Sequence, residues 1–108
     1  MRFTQTEFVK LASTNDVKPN SMMRVIVSDK KILLANVNGN YYAISDVCMH
    51  RGCQLSKGKL EGEIVTCPCH GSKYDLKTGN FTKGPTVKGE PKYELKVQDK
   101  DIMVNLQK

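Results

Sequence analysis

Apolar and polar residues alternate along most of this chain, in short segments that end at turn residues. Alternation with a period of two is typical of β-strands that bury one face. Strands are predicted over 23–27, 31–37 and 41–44, and over two C-terminal segments with apolar positions at Tyr93, Leu95, Val97, Ile102, Val104 and Leu106. Between the second and third strands, Asn38-Gly39 predicts a tight hairpin turn, since both residues tolerate positive φ. The N-terminal segment fits a short helix over 6–12 or a strand over 4–8. The predicted fold class is all-β, a small sandwich or barrel.

The length of 108 residues predicts one domain, 1–108, with a modest core. A segment at about 47–90 differs in composition from the rest, since it contains all four Cys and both His. A β frame that carries such an insertion is a common way to mount a functional site on a scaffold. We therefore expect the insertion to form a site-bearing subdomain within the single domain.

The chain is basic, with 17 Lys and Arg against 11 Asp and Glu, a net charge of +6. The basic residues are dispersed, with only Lys30 and Lys31 adjacent, and the chain has no Trp on which bases could stack. This pattern argues against nucleic-acid binding. No apolar run approaches the roughly 20 residues of a membrane span, and the N-terminus lacks a secretory signal. We expect a soluble, cytoplasmic protein.

Two short motifs combine cysteine and histidine: Cys48-Met49-His50, and Cys67-Pro68-Cys69-His70. Thiolates and imidazoles together suit a metal of intermediate softness. Three interpretations compete, namely buried cysteine pairs with incidental histidines, a structural zinc site, and a [2Fe-2S] cluster with two Cys on one iron and two His on the other. Zinc sites usually space their ligands as Cys pairs and His pairs, which favours the cluster.

With these motifs, the chain resembles a Rieske-type ferredoxin from the hairpins before Cys48 to the final strands. The resemblance implies a small antiparallel Rieske-like β-sandwich in which two loops form the cluster-binding subdomain. It implies one [2Fe-2S] cluster per chain, with Cys48 and Cys67 on one iron and His50 and His70 on the other. The stretch at Gly84-Pro85 resembles the proline loop that covers the cluster in this family.

Cys53 and Cys69 are left over from that ligand set. The resemblance to the Rieske proteins of cytochrome bc complexes implies a disulfide that joins the two ligand loops, and the alternative is a pair of reduced, buried thiols. In those proteins, residues at the positions of Ser72 and Tyr74 donate hydrogen bonds to cluster sulfur. Such donors raise the reduction potential, so we expect a high-potential cluster.

The leading functional prediction is a one-electron carrier that has no substrate chemistry of its own. Its partners would be redox proteins, with an acidic docking surface to match the basic chain. One alternative is a ferredoxin that feeds a Rieske-type oxygenase. Another, from a different class, is a zinc-stabilised or dithiol redox-sensing module.

Overall fold

The computed structural model describes residues 8–27, 29–47, 53–69, 71–83 and 92–105. Within these ranges the chain forms ten strands and one 3-10 helix, Leu55–Lys57. The strands are β1 (Phe8–Ser13), β2 (Ser21–Val27), β3 (Lys30–Val37), β4 (Asn40–Ser45), β5 (Lys59–Glu61), β6 (Ile64–Thr66), β7 (Lys73–Asp75), β8 (Phe81–Lys83), β9 (Lys92–Gln98) and β10 (Asp101–Asn105). The described part of the chain has no helix that is long and apolar enough to span a membrane.

The larger sheet has six antiparallel strands in the order β1-β10-β9-β4-β3-β2. Its β3–β4 hairpin turns at Asn38 and Gly39, whose φ values of 53° and 91° are both positive. The side chain of the buried Asn36 accepts a hydrogen bond from the Gly39 backbone N–H at 2.8 Å and donates one to the Val17 carbonyl at 3.1 Å. The turn that the Asn-Gly pair predicts is therefore present, and Asn36 connects it to the β1–β2 loop.

The smaller sheet has four antiparallel strands in the order β5-β6-β7-β8, all within residues 59–83. Strand β6 ends at Thr66 and strand β7 begins at Lys73. The loop with the second Cys–His motif therefore connects two neighbouring, paired strands. This arrangement fixes both ends of that loop.

Strand β3 is central to the core because both of its faces are buried. Leu33 and Ala35 lie in one apolar cluster, while Ile32 and Leu34 lie in another, as the period-two geometry of a strand requires. The first cluster also contains buried residues of the smaller sheet and its flanking segments, namely Leu55, Val65, Cys67, Tyr74 and Leu76. The two sheets are thus packed together through a core that reaches the second cysteine loop.

The all-β, antiparallel prediction is confirmed, and each predicted strand from 23 to 44 lies within an observed strand. The helix alternative for 6–12 is wrong over its described part, because Phe8–Ser13 is a strand. A helix this short is marginally stable by itself, whereas the strand is stabilised by its pairing with β10. In the C-terminal hairpin, Ile102 and Val104 are fully buried, whereas Val97 is 46% exposed. Leu106 lies outside the described residues.

Candidate metal centre

The second cysteine loop is closed by its own backbone. The Cys67 N–H donates to the Ser72 carbonyl at 2.7 Å, and the Gly71 N–H donates to the Cys67 carbonyl at 3.2 Å. Gly71 has a φ of 80°, a left-handed conformation that costs glycine little. Cys67 itself is buried, 3% exposed, and belongs to the core between the sheets. The loop therefore holds this cysteine at the inner side of the site.

A disulfide joins Cys53, just after the first motif, to Cys69 in the second. Their Cα atoms are 6.4 Å apart, within the range usual for a disulfide. The implied pairing is confirmed, and the alternative of two reduced thiols is wrong. Cys67 lies outside this disulfide, yet its sulfur is within 4.8 Å of those of both bridged cysteines. The bridge thus brings both cysteine-containing segments to the same point.

The chain on both sides of the first Cys–His motif is held by one buried carboxylate, that of Asp46. Asp46 is 0% exposed and is paired with Arg24, whose Nε donates to Oδ2 at 2.7 Å. Ser56 donates to the same carboxylate from its backbone N–H at 2.6 Å and from its hydroxyl at 2.7 Å. Between these two positions, Val47 and Gln54 form an antiparallel bridge. The residues on either side of the first motif are therefore held together.

Ser72 and Tyr74 are both fully buried. Ser72 ends the second loop, and Tyr74 lies in β7, where it pairs with Val65 of β6. Both side chains thus lie in the same short stretch of chain as Cys67. A buried hydroxyl of either kind requires hydrogen-bonding partners.

Five predicted site residues are described: Cys53, Cys67, Cys69, Ser72 and Tyr74. The other predicted site residues, Cys48, His50, His70, Gly84 and Pro85, lie outside the described residues. The buried thiol-bearing position at 67 and the soft donor set of the two motifs fit an iron–sulfur cluster.

The sequence reasoning missed three structural elements of the site. The first is the carboxylate of Asp46, whose sequence signal is a charged residue two positions before a ligand motif. The second is Gly58, where a Cβ would overlap the carbonyl oxygen of Thr66, the residue before Cys67. The third is a contact between β4 and the β5–β6 turn, in which the Tyr42 hydroxyl donates to Glu63 Oε2 at 3.0 Å. Burial and the Glu63 carboxylate raise the pKa of Tyr42 above its usual value.

Comparison with known proteins places this geometry in a family. A family model for the Rieske [2Fe-2S] domain matches residues 7–103. The ferredoxin component of biphenyl 2,3-dioxygenase from Rhodococcus jostii is 32% identical over 98 residues, which is 91% of this chain and 92% of that protein. Sulredoxin from Sulfurisphaera tokodaii is 43% identical over 82 residues, 75% of each chain. The solved ferredoxin of carbazole 1,9a-dioxygenase from Nocardioides aromaticivorans is 27% identical, with a TM-score of 0.87 over 91% of this chain and 96% of that one.

The fold, the disulfide-joined loops and these relatives define an iron–sulfur protein of the electron-transfer class. The chain belongs to the Rieske [2Fe-2S] domain family. It is an electron carrier with a [2Fe-2S] cluster as its cofactor.

Proposed function

We propose that this ferredoxin holds its cluster through Cys48 and Cys67 on one iron and through His50 and His70 on the other. The observation that carries the proposal is the disulfide between Cys53 and Cys69. It uses two of the four cysteines, so two thiols are left for a cluster that takes two thiolates and two imidazoles. The same bridge joins the two loops, as a ligand set drawn from both of them requires. Residues 47–90 then act as the cluster-binding subdomain of a single domain, with the loop at Gly84 and Pro85 as its cover.

The cluster supplies one-electron redox chemistry, and the chain sets the potential. An oxidised cluster of two ferric ions, two sulfides and two thiolates is neutral, so one electron makes it an anion. Hydrogen-bond donors directed at cluster sulfur stabilise that anion and raise the potential. The fully buried Ser72 and Tyr74, five and seven residues after Cys67, are suited to this role. We therefore propose a potential in the upper half of the Rieske range of about −150 to +300 mV.

A second candidate is a ferredoxin that delivers electrons to an oxygenase. It is favoured by likeness along nearly the whole chain to the ferredoxin components of biphenyl and carbazole dioxygenases. The two candidates differ in the potential that they require. Potentiometric titration of the reconstituted protein separates them, because a midpoint well below about −100 mV contradicts the high-potential proposal and supports the oxygenase role.

The partner in either case is a redox protein, and we propose that it docks through an acidic surface. The net charge of +6 supports this, as do the exposed Lys57 and Lys59, which flank Gly58 close to the second loop. Electrostatic attraction of this kind speeds association at low ionic strength and weakens as salt is added. A cytoplasmic location stays a prediction from the sequence.

The ligand assignment is tested by two matched variants of the reconstituted protein. Cys67→Ser removes a proposed ligand and should abolish the visible absorbance of the cluster. The double variant Cys53→Ser/Cys69→Ser removes only the bridge and should keep the Rieske-type spectrum of the reduced state by electron paramagnetic resonance (EPR). Retention of the cluster in Cys67→Ser would contradict the assignment. A colourless protein that binds zinc instead would favour the zinc-stabilised module.

A further inference from the structure

A buried charge lies close to the first proposed ligand. Asp46 is fully buried and precedes Cys48 by two residues in the sequence. A carboxylate is costly to bury and persists only where it is paired and hydrogen-bonded. Packing alone therefore does not explain why a carboxylate is buried just before a ligand motif.

The carboxylate accepts hydrogen bonds from two parts of the chain, β2 and the 3-10 helix. Arg24 of β2 donates to Oδ2 at 2.7 Å, while Ser56 of the 3-10 helix donates through its N–H to Oδ1 and through its hydroxyl to Oδ2. The Gln54 amide donates in turn to the Ser56 hydroxyl at 2.8 Å. Arg24, although 25% exposed, is directed inward by this pairing.

The backbone of Asp46 ties the same point to the larger sheet. Its N–H donates to the Lys31 carbonyl at 2.9 Å. Its carbonyl accepts from the Leu55 N–H at 3.3 Å and from Arg24 Nη2 at 3.3 Å. The chain before the first motif and the chain after it are thus both attached to one residue.

The second loop has a different kind of support. It is closed by hydrogen bonds between Cys67, Gly71 and Ser72 and by the two strands that flank it. For the first loop, the described attachments are the Asp46 network, the bridge between Val47 and Gln54, and the disulfide at Cys53. The network and the bridge at Val47 are thus the described attachments on the N-terminal side of Cys48.

We propose that Asp46, with Arg24 and Ser56, is a positioning residue for the cluster: it sets where Cys48 and His50 lie by holding both ends of their loop. The inference rests on the ligand assignment proposed above. Groups that orient metal ligands typically change metal affinity or activity by about 10- to 100-fold when removed. Loss of the carboxylate should therefore weaken the binding of the cluster and broaden the range of ligand geometries.

The test compares Asp46→Asn with Asp101→Asn in the cluster-loaded protein. Both variants remove one carboxylate of an ion pair, but Asp101 pairs with Lys10 at the surface, where the two side chains are 48% and 56% exposed. The amide introduced by Asp46→Asn would present its own N–H groups to the surrounding donors, and Arg24 would lose its charged acceptor. We expect Asp46→Asn to lose the cluster to a chelator at least about tenfold faster and to broaden the reduced-state EPR signal. Asp101→Asn should match the wild type in both.

Ser56→Ala is the milder variant, since it removes one hydroxyl and keeps the backbone N–H donor. It should speed cluster loss to the chelator and broaden the EPR signal, both by less than Asp46→Asn does. If Asp46→Asn does not fold, the result for Ser56→Ala tests the proposal. An unchanged EPR signal in the variants overturns the proposal, even where cluster loss is faster, because a purely structural role alters stability without altering ligand geometry. A wild-type protein without a Rieske-type EPR signal would instead contradict the ligand assignment itself.

Discussion

Gly58 is a described position where one added methyl group should directly disturb the site. It ends the 3-10 helix Leu55–Lys57 with its N–H donating to the Leu55 carbonyl at 2.9 Å, and it precedes β5. A Cβ at this position would overlap the carbonyl oxygen of Thr66 and lie 3.0 Å from its carbonyl carbon. Both opposing atoms belong to the backbone, so relief requires a shift of β6 rather than a side-chain rotation. Thr66 is followed directly by Cys67, and the shift would therefore reach the proposed ligand.

The cost of Gly58→Ala can be estimated from its steric origin. Its φ of −86° is negative, so no left-handed conformation is involved, and the estimate uses the overlap with Thr66. Overpacking that displaces backbone costs about 1–3 kcal/mol, and we expect the upper end because two strands must separate. A domain of this size loses roughly 4–8 °C in melting temperature for each kcal/mol. The expected decrease is then about 12–24 °C.

Gly62→Ala is the matched control, because it makes the same chemical change in the β5–β6 turn. Position 62 has a φ of 59° with nothing within 4 Å of an added Cβ, so its cost is that of the left-handed conformation, about 1 kcal/mol. Both variants are compared as cluster-loaded proteins by thermal unfolding, followed by far-UV circular dichroism and by cluster absorbance. Equal melting temperatures for the two would refute the steric argument. On heating, Gly58→Ala should also lose its cluster absorbance before its far-UV circular dichroism signal.

Two further predictions concern the links between parts of the fold. Removing the disulfide with Cys53→Ser/Cys69→Ser should lower the free energy of unfolding by about 3 kcal/mol in denaturant titration, given a separation of 16 residues; a change below about 0.5 kcal/mol would count against a tie between the loops. Tyr42→Phe should cost about 1–2 kcal/mol at neutral pH through the lost hydrogen bond to Glu63. Because the folded-state pKa of Tyr42 lies above the unfolded value of about 10, its stabilisation is complete below pH 10 and declines as pH rises through the raised pKa. The wild type should therefore lose stability in that range relative to Tyr42→Phe, and parallel pH profiles would contradict this.

Local sequence signals predicted the elements whose hydrogen bonds are local. The Asn38-Gly39 turn and the strands on either side of it follow from residue type and period-two alternation alone. Strand β1 could not be assigned in this way, because its pairing partner is β10 at the other end of the chain. The helix and strand alternatives for that segment differ only once this long-range pairing is known.

For the site as well, features with a local sequence signal could be predicted and features that depend on strand pairing could not. The two Cys–His motifs predicted the metal chemistry because their spacing is written in the sequence, and the family resemblance supplied the Cys53–Cys69 bridge. The pairing of Asp46 with Arg24 could not be predicted, since the two residues are 22 positions apart and meet only when β3 pairs with both β2 and β4. The close approach of Gly58 to Thr66 likewise depends on the register of β5 and β6.

The central claim, a [2Fe-2S] cluster with two cysteines on one iron and two histidines on the other, is tested most directly by Mössbauer spectroscopy of the oxidised protein loaded with isotopically enriched iron. Sulfur and nitrogen ligands differ in covalency, so the two irons should give two distinct doublets of equal area. A single doublet, as expected for two irons with equivalent ligands, would contradict the account.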